Sequence, residues 1–190
     1  MKKFIFLILV FSVCAFAQYP TFVSDTVRFV RPADTVVYAS GDIIADSGSH
    51  YKYFTLSNIG SSKTNSRGKI TYVTVQMDTA NATNTTVKVR FFGVADTTGL
   101  WTSLPADNDA IQSKFILSGG SILQFGDVAV TLTIFGTTAG GATSSEGSAT
   151  ATIPFQLPNG VLYCAVISTG AFEPKSNGTF RIIVNADRQY

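Results

Sequence analysis

"LYCAVISTGAFEPKSNGTFRIIV", residues 162 to 184, holds two strands and the turn-rich stretch between them. In the first strand Val161, Tyr163, Ala165 and Ile167 alternate with Leu162, Cys164, Val166 and Ser168. Both sets are largely apolar, which predicts a strand buried on one sheet face and covered on the other. In the second strand Phe180, Ile182 and Val184 alternate with Arg181 and Ile183, so one face is core and the other is mixed. Patterned segments so late in a chain pair with strands far away in sequence, and this one is expected to lock two sheets together.

Working back from there, "GKITYVTVQMD" (68 to 78) predicts a central strand, with Ile70, Tyr72, Thr74 and Gln76 on one face and Thr71, Val73, Val75 and Met77 on the other. "TTVKVRFFGV" (85 to 94) sets Val87, Val89 and Phe91 against Lys88, Arg90 and Phe92. "SILQFGDVAVTLTIFG" (121 to 136) reads as one or two strands broken near Gly126, and "SHYKYFTLS" (49 to 57) as a half-buried strand. "TFVSDTVRFV" (21 to 30) and "DTVVYASGD" (34 to 42) are short β-rich runs that suggest a lead-in strand and a turn. "ADTTGLWTSLPADNDA" is read as a long loop. "TTAGGATSSEGSATAT" (137 to 152) is nearly free of large apolar side chains and is expected to be either a mobile hairpin tip or a disordered insert. About eight strands and no helix of ordinary length give an all-β expectation: an antiparallel β-sandwich, jelly-roll-like. No repeat interval supports a propeller or solenoid.

The chain has 190 residues, which suits one sizeable core, and 45% hydrophobic against 14% charged residues, a strand-and-turn composition. "MKKFIFLILVFSVCAFAQ" has two lysines, an apolar run from Phe4 to Phe11, and Ala15 and Ala17 before Gln18. That is the pattern of a signal peptide over residues 1–17, cleaved after Ala17, with a lead-in arm over 18–37 and the sandwich over 38–190. Its uninterrupted apolar run falls short of a comfortable bilayer span, so no stable membrane insertion is expected after cleavage. Cys14 invites a lipoprotein reading, but "FSVC" lacks the small residue expected just before a lipidated cysteine. Loss of Lys2 and Lys3 leaves 12 of the 14 basic residues against 12 acidic ones. A neutral mature chain carries no charge that would recruit nucleic acid. It would also keep Cys164 as its one cysteine, so no intramolecular disulfide can form.

Candidate chemistry is sparse. Asp107 and Asp109 in "DND" offer oxygen ligands, but calcium takes about 6 to 8 of them, and Asx residues at turns more often bend the backbone. They remain weak metal candidates. His50 is the single histidine, which rules out a multi-histidine metal site, and no serine sits in a nucleophile-elbow context. Cys164 lies mid-strand with no charged sequence neighbour to activate it, so it is read as core filling. Asn81 and Asn84 match a glycosylation acceptor pattern that is uninformative for a bacterial source. Trp101 is the single tryptophan and either anchors an interface or folds back as a lid. Strand alternation also turns Phe91 or Phe92 off the core, so these two and Trp101 are the expected interface aromatics. No catalytic residue and no cofactor is expected.

Several segments together resemble a family of small jelly-roll virion structural proteins of tailed bacteriophages. They are "YASGDII" (38 to 44), "SRGKITYVTVQM" (66 to 77), "VKVRFFGV" (87 to 94) followed by "DNDA" (107 to 110), and "PNGVLYCAVISTGAFEPKSNGTFRIIV" (158 to 184) with its turn at Gly170, Ala171 and Phe172. The resemblance implies a protein that decorates or cements a capsid or sits on a tail, as a trimer, bound to the major capsid or another virion protein at the virion surface. It implies no active-site residues. The export signal departs from that pattern, since virion proteins assemble in the cytoplasm. The other reading is therefore an exported bacterial surface β-sandwich, in the periplasm, on the cell surface or secreted, acting as an adhesion or carbohydrate-binding module.

Overall fold

The computed structural model of the protein describes residues 20–46, 53–60, 65–78, 85–94, 107, 122–137, 143–173 and 175–189. In chain order the strands are β1 (Thr21–Val30), β2 (Ile43–Ile44), β3 (Phe54–Leu56), β4 (Ser66–Met77), β5 (Thr86–Val94), β6 (Ile122–Thr131), β7 (Thr133–Thr137), β8 (Thr143–Leu157), β9 (Leu162–Ser168) and β10 (Thr179–Gln189). The one helical segment among the described residues is a single turn, Ser57–Gly60.

Two sheets form. Sheet 1 has the order β1-β10-β4-β8-β7, and sheet 2 the order β2-β9-β5-β6, with β3 continuing the β2 edge of β9. Every pairing is antiparallel, and the main ones are nested: β1 with β10, β2 and β3 with β9, β4 with β8, β5 with β6. The first strand thus pairs with the last and each inner strand with its counterpart, as if one long hairpin had been rolled up. This is a jelly roll, an all-β antiparallel sandwich. The two strands of residues 162–184 separate as their patterning requires. β9 lies inside sheet 2 and β10 inside sheet 1, so the turn between them ties the two sheets.

Alternating side chains fill the space between the sheets. Val87, Val89 and Phe91 of β5 meet Val73 and Val75 of β4 and Ile182 and Val184 of β10 in one cluster. Phe29 of β1 stacks on Phe54 of the opposite sheet at 4.3 Å and on Phe180 of its own at 5.1 Å, so three rings join the layers at one end. Cys164 is a free thiol in this core with no exposed surface, as its mid-strand position predicts. Burial pushes its pKa up, which keeps the thiol protonated and inert.

Three expectations are corrected. Ile70 shares the core face with Val73, Val75 and Met77 rather than facing outward with Tyr72. Against β10 the register shifts between Ile70 and Tyr72 with Thr71 as the extra residue, and this bulge resets the alternation. The run 121 to 136 divides at Leu132, not near Gly126: β6 belongs to sheet 2 and β7 to sheet 1, and buried Leu132, donating its N–H to the Thr85 carbonyl, marks the crossing. Residues 143–152 form most of β8, neither a mobile tip nor a disordered insert. At Gly147 the absence of a side chain is a packing requirement, because a Cβ there would overlap the Thr131 carbonyl oxygen where the crossing chain passes over the strand. Large residues would not fit there.

Candidate functional site

The residues expected to form sites are distributed differently from the sequence reading. Trp101 and Asp109 lie outside the described residues, as does His50. Phe91 is core. Phe92 does point off the core, yet it is fully buried like Phe91. On the outer face of sheet 2 it stacks against Tyr163 at 5.8 Å and meets the edge of Tyr53 at 6.4 Å. Ile43, Ala165 and Ile167, on that same face, are buried too. The exposure that would make Phe91 or Phe92 an interface anchor is therefore missing, because the outer face of sheet 2 is buried around Phe92, while Lys88 and Ala129 further along it are exposed.

Asp107 is placed in a buried polar cluster at the start of the sandwich. Val30 ends β1, and the next residue, Arg31, turns inward with its side chain wholly buried. Its Nε donates to the Tyr38 hydroxyl at 2.8 Å, its Nη1 to the Asp34 carbonyl at 2.7 Å, and its Nη2 to Asp34 Oδ1 at 2.7 Å and Asp107 Oδ2 at 3.2 Å. The other Asp107 oxygen, Oδ1, accepts from the Tyr38 hydroxyl and from the Ala45 N–H, each at 2.7 Å. Tyr38 is held in turn by a ring contact with Phe172 at 5.0 Å and a backbone bridge to it.

The electrostatics follow from burial and partners. Burial works against the Arg31 charge, but its bonds to Asp34 and Tyr38 more than offset this, and its pKa stays above the ordinary value. Burial pushes the Asp107 carboxyl up, against the pull of the Ala45 N–H, Tyr38 and Arg31. It pushes the Tyr38 hydroxyl up as well, helped by the neighbouring Asp107. Both Asp107 oxygens are thus occupied by donors, which leaves this carboxylate little capacity for a metal. Among the described residues no group of three or more His, Cys, Asp or Glu could hold a metal ion. The cluster instead pins residue 107, from the long segment between β5 and β6, to the strand that opens the fold. The sequence carried a faint signal of it: an arginine between Val30 and Pro32, with Asp34 one turn on.

The outer face of sheet 1 is open. Its rows are fixed by the ladder: Arg28 of β1 lies opposite Arg181 of β10, Arg181 opposite Gln76 of β4, and Gln76 opposite Glu146 of β8. An open groove of about 730 Å³ runs over this row and is lined also by Thr26 and Thr179. Gln76 Nε2 donates to Glu146 Oε2 at 3.1 Å, and its Oε1 faces Arg181 Nη1 at 3.5 Å. Further along the same face Thr74 and Ser148 share a hydroxyl bond at 2.9 Å, and Tyr72 is 37% exposed. Sequence alone could not assemble this row, since its members come from four distant segments.

No family model matches the chain, and no curated protein matches it in sequence. Among solved structures it is similar to a chain of the Israeli acute paralysis virus full particle heated to 63 degrees, with a TM-score of 0.33, 13% identity, and coverage of 93% of this chain and 73% of that one. It is also similar to a chain of Desmodium yellow mottle tymovirus, with a TM-score of 0.27, 9% identity, and coverage of 90% and 87%. For the unassembled KI polyomavirus VP1 pentamer the TM-score is 0.27, the identity 9%, and the coverage 92% and 100%. The jelly roll rests on the strand order of the chain itself.

Proposed function

We propose that the protein is a non-catalytic structural component of a virion, decorating or cementing the capsid or associated with the tail. The observation that carries this reading is the nested strand order of a jelly roll whose buried polar cluster, Arg31, Tyr38 and Asp107, is spent on internal bonds rather than opened to a substrate. The sequence resemblance between residues 38 and 184 and phage virion proteins supports the same role. In this reading the protein binds the major capsid or another virion protein, uses no cofactor, avoids nucleic acid, and self-associates as a trimer. With Phe91 and Phe92 buried inside the chain, Trp101 is the aromatic anchor left to that interface. Mass spectrometry of purified particles from the source organism tests it: the protein should co-purify with the capsid through a density gradient, and its absence from particles would end the proposal. Sedimentation of the chain at micromolar concentration tests the trimer, with Trp101→Ala expected to dissociate it; a monomer unaffected by the substitution rejects it.

A second reading, an exported surface module, is favoured by the apolar leader and by the open polar face of sheet 1. It places the mature N-terminus at Gln18, after cleavage at Ala17, just ahead of the first strand of the sandwich, β1 (Thr21–Val30), so residues 21–30 belong to the sandwich and not to a lead-in arm. Intact mass separates the two: a chain beginning at Gln18 supports export, and one retaining Met1 rejects it.

A further inference from the structure

We propose that the Arg28–Arg181 end of the sheet 1 groove binds the carboxylate or sulfate groups of an acidic glycan. The inference goes beyond a structural role and holds for a particle-borne or an exported jelly roll alike.

The starting point is a placement that folding alone does not favour. Arg28 and Arg181 are directly opposite each other on neighbouring strands, and like charges so placed repel. Both are exposed. Neither lies within ion-pair distance of a carboxylate among the described residues. Arg28 makes no hydrogen bond there, and Arg181 has only the long contact to Gln76. The nearby acids are already engaged. Glu146, two strands from Arg181, is held by the Gln76 amide. Asp78 accepts from the Thr179 N–H at 2.6 Å and faces Lys175 at 3.6 Å. Two adjacent guanidinium forks, with most of their donors unspent, match the paired oxygens of a carboxylate or sulfate.

The rest of the face selects the kind of molecule that carries those oxygens. A protein partner would need an apolar centre to bury, and the groove offers none: Met77, the large apolar side chain of its lining, is 2% exposed. Between the strands the groove presents hydroxyls and amides, with the exposed Tyr72 ring four residues along β4 from Gln76, about 14 Å away at the rise of a strand; the exposed apolar side chains of the same face, Val30 and Phe22, stand singly at the two ends of the β1 edge and form no apolar centre. The row from Arg28 to Glu146 crosses three strand spacings, again about 14 Å. Hydroxyl-rich rings carrying acidic groups, several units long, fit that spacing and chemistry. A lone inorganic ion would use only the arginine end.

Calorimetric titration of the intact protein with a galacturonic acid hexamer and a heparin hexasaccharide tests the site, alongside a neutral cellulose hexamer, polyglutamate and sodium sulfate. At least one acidic hexamer should bind, more weakly as salt rises, and Arg28→Ala or Arg181→Ala should weaken it about tenfold or more. The neutral hexamer should fail. Equal binding of polyglutamate or of sulfate alone would overturn the glycan assignment, and no binding of either acidic hexamer at millimolar concentration would overturn the site. Folding supplies a separate readout. Without ligand, Arg28→Ala should melt no lower than the parent chain, since it removes a repulsion; a fall in melting temperature would show that the arginine serves the fold and would refute the proposal. These results bear on the face alone, while residence on a particle is decided by co-purification.

Discussion

Replacing Asp107 with alanine should remove a large share of the stability of this fold. The substitution leaves two buried donors without their acceptor, the Tyr38 hydroxyl and the Ala45 N–H. Each orphaned buried donor costs about 1–3 kcal/mol. It also strips one of two carboxylates from a wholly buried guanidinium. Complete loss of a buried partner costs about 3–5 kcal/mol. Asp34 remains at 2.7 Å, so the charge contribution should be nearer 1 kcal/mol. The sum is about 4 kcal/mol, against about 5–15 kcal/mol for a whole domain. With a urea slope of about 2 kcal/mol per molar, the unfolding midpoint should fall by about 2 M. Exchanging the cluster for apolar residues, Arg31→Met with Tyr38→Phe and Asp107→Leu, should recover most of the loss, because no charge then remains buried. A midpoint shift for Asp107→Ala below about 0.3 M would refute the reasoning and put the carboxylate in water.

Other outcomes follow from the packing. Gly147→Ala should destabilise by about 2 kcal/mol or more in the same urea assay, since its Cβ would meet backbone rather than a yielding side chain; an unchanged midpoint would mean that the crossing chain does not lie on β8. Amides of residues 145–150, paired to β4 across the ladder, should exchange about a thousandfold or more slower than unstructured amides, and rapid exchange there would contradict their place in sheet 1. Cys164 should resist thiol reagents at pH 8 in the native protein and react fully in urea, because burial raises its pKa and the thiolate is disfavoured only while the fold is intact.

The strands that announced themselves did so through large side chains at alternate positions. β5, β9 and the core face of β10 could be assigned inward and outward directly from Val, Ile and Phe. β8 could not, because the same alternation there is carried by Ser145, Gly147, Ala149 and Ala151, whose smallness reads as looseness until the chain crossing above it is known. The bulge at Thr71 was hidden for a related reason: one extra residue against β10 inverts a period-two pattern and leaves no mark in composition. Phe92 shows a third limit. Its direction was legible, but its cover, Tyr53 and Tyr163, arrives from two other segments. The same holds for the arginine row, whose members lie in register only after β10 has slid between β1 and β4.

That insertion of β10 between β1 and β4 also sets a clock. During synthesis β1 leaves the ribosome early, yet its ladder partner along all ten residues follows only after Thr179 has been made. At about 5–20 residues per second the delay is on the order of 10 to 30 s. Until then Phe29 has neither Phe180 beside it nor the completed sandwich around it. Topologies dominated by such distant pairings are slow to fold. The first strand of a nascent chain of this design therefore waits unpaired while the inner strands β4, β5, β6 and β8 can already join, a state suited to capture by a chaperone. A shorter-range fold would already have closed.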